Sequence, residues 1–349
     1  MSQTTTAALI SLSVFAAYAK YYQSFQNGFI ALLSDMADTK SLSGLPGGLH
    51  CEYTGFAPLD RFLTACNIFF WPVFQGEVPN LSLYGVAFAS ALVPMWLVIV
   101  LETHRGRRPV AALMELAFLA GPLVQCLGPG LVIPAILSRL PMSTPGTKLP
   151  FGFDIGFYPS SMIIGYILPL ILAALPTPRV TAYEAKQQLI AVWQGWPVYT
   201  SLIMLIIHYL RPMRASQDWQ LKIACAFAFA CSTAGHLAFL WFARAKTASY
   251  HVFLPPIPWR ELQVASIEAG VLRFLQWDYT LSASAMLVWT VASYCRATGK
   301  RIGQSSSVIL IFGMAGVVFL GPCSVALLLY TSVALQRKGV TNYDCCRSS

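Results

Sequence analysis

The sequence predicts an all-α fold: a polytopic transmembrane helical bundle of about eight or nine helices. Three observations predict it. Of 349 residues, 56% are hydrophobic and only 11% are charged, against about 25% charged in a typical soluble domain. Apolar runs recur along the chain, most of them near the roughly 20 residues that a helix needs to cross a bilayer. The basic residues behind the net charge of +9 gather in short loops such as residues 104–108 and 296–301. Short basic loops anchor membrane helices, so the excess charge points to a bilayer as partner and not to nucleic acid.

The elements follow in order. Residues 7–33 form the first apolar stretch, interrupted by Lys20-Tyr21-Tyr22-Gln23 and Gln26-Asn27. Residues 34–56 are polar and glycine-rich. Residues 62–74 are apolar but short, ending in Phe70-Trp71-Pro72. Whether this stretch crosses the bilayer or only dips into it decides between nine spans and eight. Clear spans are expected over 81–101, 110–137, 155–175, 189–210, 221–242, 274–294 and 308–335. The longest polar connection, 244–273, holds Pro255-Pro256-Ile257-Pro258 and then an expected amphipathic interfacial helix over 259–272. No internal repeat or soluble domain is visible. Residues 1–335 read as one transmembrane domain and 336–349 as a short tail, on the cytoplasmic side by the bias of the basic loops. The nine cysteines show no paired CxxC spacing. The tail's Cys345-Cys346 allows palmitoylation, and no cleavable signal pattern opens the chain.

An ionisable group at membrane depth is costly, so each one is a functional candidate with a partner to be found. Asp278 stands between two aromatics, Trp277 and Tyr279, just inside an apolar helix. A carboxyl so placed can hold its proton near neutral pH and serve as a general acid; alternatively it caps a helix N-terminus. Glu115 lies in an otherwise apolar helix and must face protein or water. Glu102 closes a helix, where an ion pair with Arg105 competes with a catalytic role. Asp60 is adjacent to Arg61, an arrangement that often pairs with neighbouring elements. His236 is either a proton relay or a histidine satisfied by the next helix. With nine spans, Asp60, Glu102, Glu115, Asp278 and His236 fall at similar depth; with eight, Asp60 moves to the opposite face. Aromatics including Phe70, Trp71, Trp196, Trp277 and Tyr279 form either an interfacial belt or a cavity whose ring faces stabilise a cation. The chain has no DDxxD or NDxxDxxxD box, so neither a magnesium–diphosphate site nor any other metal site is supported. HExxH, GxSxG and Walker A are also missing.

Glu52-Tyr53-Thr54-Gly55 through Asp60-Arg61, the Phe69-Phe70-Trp71-Pro72 helix end and Gln276-Trp277-Asp278-Tyr279 resemble fungal integral-membrane terpene cyclases of meroterpenoid pathways. The likeness is closer to the longer type, associated with ascochlorin-, ascofuranone- and macrophorin-like products, than to the compact pyripyropene type. The resemblance implies a cofactor-independent cyclase of the endoplasmic reticulum membrane acting on a farnesylated phenol or cyclohexenone. Asp278 then matches the family's late catalytic aspartate, while Glu102 and Glu115 compete for the early glutamate. Asp60 and His236 are further proton-handling candidates. Phe70, Trp71, Arg61, Trp196, Trp277 and Tyr279 are the expected substrate-binding residues. A different class fits the same embedded carboxylates: a small transporter or receptor bundle in which they bind protons or cations. A two-fold repeat in hydropathy would favour that reading, and none is visible.

Overall fold

A computed structural model describes residues 2–42, 44–105, 108–140, 154–210, 215–245, 254–257, 263–299 and 306–336. Among them the regular structure is entirely helical. Helix α1 (Gln3–Ala16) continues through a widened turn, Ala17–Tyr22, and a last turn, Gln23–Gln26. Gly28, at φ +83°, redirects the chain into α2 (Phe29–Asp38), a backbone conformation that glycine adopts without steric cost. After the polar loop come α3 (Ala57–Gln75), α4 (Pro79–His104), α5 (Pro109–Leu127), α6 (Pro129–Arg139) and α7 (Ile155–Ala173). Helices α8 (Tyr183–Trp193), α9 (Trp196–Leu210), α10 (Gln217–Ala245), α11 (Ile267–Thr298), α12 (Ser306–Leu320) and α13 (Pro322–Gln336) complete the bundle.

Helix α4 is the axis of the core. Every residue from Ala91 to His104 is buried, so the helix is apolar all round, as a helix enclosed by others must be. It packs against α10, α11 and α13, and α11 packs in turn on α1, α6 and α13. Tyrosines from α7 fasten the core from the side: the hydroxyls of Tyr158 and Tyr166 donate to the carbonyls of Val93 (2.5 Å) and Ala89 (2.8 Å).

Among the described residues, four helices are long and apolar enough to cross a membrane, and five if α8 and α9 count as one bent span. That is fewer than the eight or nine read from hydropathy, and several of the apolar runs are broken. The run over 110–137 breaks at Gly128 (φ +70°, ψ 150°), with Pro129 opening α6. The run over 189–210 bends by 61° at Gln194-Gly195. The run over 308–335 breaks at Gly321 (φ +89°) before Pro322. Proline is favoured in the first turn of a helix and cannot donate a backbone hydrogen bond to a preceding one. The expected interfacial helix over 259–272 is also corrected: from Ile267 its residues belong to α11, a single 32-residue helix, and 258–262 lie outside the described residues. So do 337–349, with the Cys345-Cys346 pair.

Breaks leave bare backbone carbonyls and amides, and buried side chains answer them. Lys186, 1% exposed, donates from Nζ to the carbonyls of Phe74 (3.0 Å) and Leu175 (3.1 Å) and to Gln75 Oε1 (3.2 Å). One lysine thus closes the C-terminal ends of α3 and α7.

Among the described glycines of positive φ, Gly128 is the most crowded. A Cβ there would run into Lys20 Nζ and lie 2.6 Å from Asp278 Oδ2. Gly299, at φ +69°, has open space instead. Gly128→Ala is therefore expected to destabilise the protein by about 1–3 kcal/mol from backbone strain, with the collision adding to it. Thermal unfolding in detergent should place it clearly below Gly299→Ala; equal melting temperatures would contradict the crowding.

Candidate active site

The break at Gly128 is answered by two charges. The Leu127 carbonyl at the end of α5 accepts from Lys20 Nζ (3.0 Å) and from the Tyr21 hydroxyl (2.7 Å). The Gly130 amide in the first turn of α6 donates to Asp278 Oδ1 (2.9 Å). Lys20 and Asp278 form an ion pair with each other through the same Oδ1. Lys20 is 1% and Asp278 3% exposed. The cation thus sits at a helix C-terminus and the anion at a helix N-terminus, the placement that helix dipoles favour. The Lys20 ammonium lies 4.5 Å from the centre of the Phe274 ring and 5.3 Å from that of Tyr21, within cation–π range. Asp278 Oδ2 accepts no hydrogen bond among the described residues.

Asp278 forms part of the wall of a 250 Å³ cavity. The remaining lining is mostly apolar and aromatic, drawn from α1, α2, α3, α4, α5, α6, α8 and α11. Phe69 packs edge-on against Phe29 (6.2 Å between centres) and Phe274 (5.3 Å). Phe70 does the same against Trp193 (5.0 Å). A second cavity of 810 Å³ abuts it, and Phe62, Gln125, Cys126 and Gln194 line both. Gln125 Nε2 donates to the backbone carbonyl (2.8 Å) and Oε1 (3.1 Å) of Gln194, and Trp196 Nε1 donates to Gln125 Oε1 (3.2 Å). The bend between α8 and α9 exposes the Gln194 carbonyl that Gln125 satisfies.

The other ionisable candidates line neither cavity. Glu102 accepts from Arg105 Nε (2.6 Å) and the Tyr330 hydroxyl (2.7 Å), joining α4 to α13. Asp60 folds the preceding loop: Oδ1 accepts from the Tyr53 amide (3.1 Å), the Thr54 amide (2.7 Å) and Thr54 Oγ1 (2.8 Å), and Oδ2 from the Gly55 amide (3.1 Å). Burial alone would raise its pKa; these hydrogen bonds outweigh that and hold the carboxyl below its ordinary value. His236 Nε2 lies 2.9 Å from the Val318 carbonyl. Glu115 is half-buried on α5. The structure does not bring these groups to one place.

The aromatic candidates divide in the same way. Phe70 lines the smaller cavity and Trp196 braces Gln125. Trp277 packs edge-on to Phe15 (5.4 Å) beside Ala16, Ala19 and Leu281. Tyr279 meets Tyr84 edge-on at 6.0 Å, and Trp71 stacks on Tyr183 at 6.3 Å. Arg61 is exposed and lines neither cavity. Sequence reasoning did not single out Lys20, Gln125 or Gln194. Lys20 carried a signal, since it too is a charge inside an apolar run. Among the described residues no three His, Cys, Asp or Glu side chains are grouped so as to hold a metal ion.

A model of the CtvD domain matches residues 5–332. Terpene cyclase penA of Penicillium crustosum is 41% identical over 353 residues, covering 95% of each chain. Terpene cyclase atmA of Aspergillus flavus is 33% identical over 345 residues, covering 91% of this chain and 93% of that one. Terpene cyclase ascI of Acremonium egyptiacum is 26% identical over 331 residues, covering 87% and 84%. No solved structure matches.

The ion pair yields a stability test. Lys20→Met leaves a buried carboxylate without its cation and is expected to cost about 3–5 kcal/mol. Lys20→Met combined with Asp278→Leu removes both charges and should recover most of that loss. Thermal unfolding of the two variants in detergent measures the difference. A single variant as stable as the parent would mean that the pair does not close the break.

Proposed function

We propose, from the premise that this chain belongs to the CtvD-domain family, that it is a membrane-embedded terpene cyclase in which Asp278 handles the proton. The observation that carries this reading is the position of Asp278. Its Oδ1 is anchored by Lys20 and the Gly130 amide, its Oδ2 has no hydrogen-bond partner among the described residues, and the carboxyl lines an aromatic cavity. An anchored carboxyl with one free oxygen is a preorganised acid and base.

The substrate class is an isoprenoid chain, farnesyl in length, on a phenol or cyclohexenone. The Lys20–Asp278 pair holds one shared proton beyond those of a free amine and carboxylate. With that proton on the carboxyl, Asp278 delivers it to a terminal epoxide oxygen or to a terminal alkene carbon. In the epoxide case a C–O bond breaks, and its electron pair stays on the oxygen that gains the proton. The π electrons of a neighbouring alkene form the new C–C bond and pass the positive charge along the chain. The rings of Phe69, Phe70, Phe274 and Trp193 surround that charge, and the carboxylate left behind opposes it across a short distance in a low-dielectric site. Loss of a proton from carbon to the carboxylate ends the sequence. Atoms are conserved, so the net reaction is an isomerisation. Opening an epoxide asks less of the acid than protonating an alkene.

Glu102, Asp60 and Arg61 take structural parts in this reading, since hydrogen bonds engage both carboxylates and Arg61 stands away from the cavities. The setting is the endoplasmic reticulum membrane, with the C-terminus on the cytoplasmic side, as the bias of the basic loops suggests.

Asp278→Asn keeps an acceptor for the Gly130 amide and removes the transferable proton. Microsomes carrying it should convert farnesylated phenols and their epoxides about 10²–10⁴-fold more slowly than the parent, with product formation followed by mass spectrometry. A monodisperse Asp278→Asn protein with undiminished turnover would end the proposal.

A further inference from the structure

The two cavities differ in size and lining. The inner one, with Asp278, measures 250 Å³, less than the roughly 300–1,000 Å³ that pockets for whole drug-sized ligands occupy. It admits only part of an amphiphilic substrate. The outer one, at 810 Å³, takes a bulky remainder. Between them stand Gln125 and Gln194, hydrogen-bonded to each other and braced by Trp196. A constriction built from mutually locked amides passes a slender chain more readily than a ring.

The outer chamber is lined by His50, Glu52 and Gln188 among others. Phe56, Leu59 and Val192 also line it and are 64%, 40% and 50% exposed. Large apolar side chains grouped at the mouth of a cavity mark a surface meant to be covered, and in a membrane protein lipid covers it. The Glu52–Phe56 part of the rim is shaped by Asp60, whose four hydrogen bonds fold the loop over the chamber.

We infer that the outer chamber is a head-group subsite entered from the bilayer. The substrate enters prenyl end first, its terminus passes the Gln125–Gln194 constriction to reach Asp278, and its planar ring stays outside. The ring is of a class that donates hydrogen bonds through O–H or N–H, matched to the acceptors of Glu52 and Gln188. The chemistry at Asp278 rests on the cyclase reading; two-chamber binding does not.

Two measurements test the inference. The first compares kcat/KM for a prenyl epoxide bearing a phenolic ring and for one of equal chain length without a ring. The parent protein should prefer the ring-bearing substrate by about tenfold or more. Gln188→Trp, which fills the outer chamber from an exposed position, should lower kcat/KM for the ring-bearing substrate more than for the other. Ala191→Phe fills the same chamber from α8 and serves if Gln188→Trp is poorly expressed. No preference in the parent, or equal losses on both substrates in the filled variant, would overturn the inference. The second measurement uses Cys126, which is exposed and lines both chambers. A prenylated phenol with a saturated terminus should slow alkylation of Cys126 by N-ethylmaleimide, mapped by mass spectrometry, in the parent and in Asp278→Asn alike. Protection without turnover of either substrate would remove the cyclase reading and keep the two-chamber site. Turnover without protection would remove the two-chamber site alone.

Discussion

A broken helix inside an apolar bundle needs its freed peptide groups satisfied by protein, because lipid offers no hydrogen bonds. The break between α5 and α6 meets that demand with a lysine on the Leu127 carbonyl and an aspartate on the Gly130 amide. Neither charge would be tolerated alone. Together they neutralise each other, terminate two helix dipoles of the right sign and tie α1 and α11 to the break. Much of the remaining architecture follows from holding these segments within reach of one another. The glycine at 128 is required because the space beside its α-carbon is taken by the two charged side chains.

The same rule recurs on a smaller scale. Lys186 closes the ends of α3 and α7, and Gln125 answers the carbonyl freed at the bend between α8 and α9. Each of these three sites recruits a long polar side chain from another helix, and each such side chain fixes a neighbour. Both interruptions that border the cavities supply polar groups to their lining, Asp278 at one and the two glutamines at the other. Non-helical backbone at membrane depth belongs where it is enclosed by protein or lines a cavity, and here the cavities lie beside it.

The helical class and the membrane setting were legible in composition and hydropathy, because apolar content over a 20-residue window is a local property. The interruptions at Gly128-Pro129 and Gly321-Pro322 were present in the sequence as glycine–proline steps, yet hydropathy averages across them and reads one span where there are two shorter helices. Asp278 stood out as an isolated carboxylate. Its partner did not, because Lys20 lies near the other end of the chain and their meeting depends on how α1, α6 and α11 pack. Similar depth would not by itself bring Asp60, Glu102 or Glu115 to Asp278: depth fixes one coordinate, and the other two belong to helix order in the plane. Glu102 and Asp60 show what fills those positions instead, an α4–α13 clasp and a folded loop. Gln125 and Gln194 could not be singled out, because a glutamine becomes informative only once the break beside it is known.

The pairing of Lys20 with Asp278 also has a consequence for biogenesis. A chain made from its N-terminus presents Lys20 long before Asp278 has been synthesised. Until α11 arrives, the first helix carries a cation without its anion, and the Gly130 amide at the α5–α6 break lacks its acceptor. Closure of the break therefore comes late: its two charges can meet only once α11 has been made and has packed against α1 and α6.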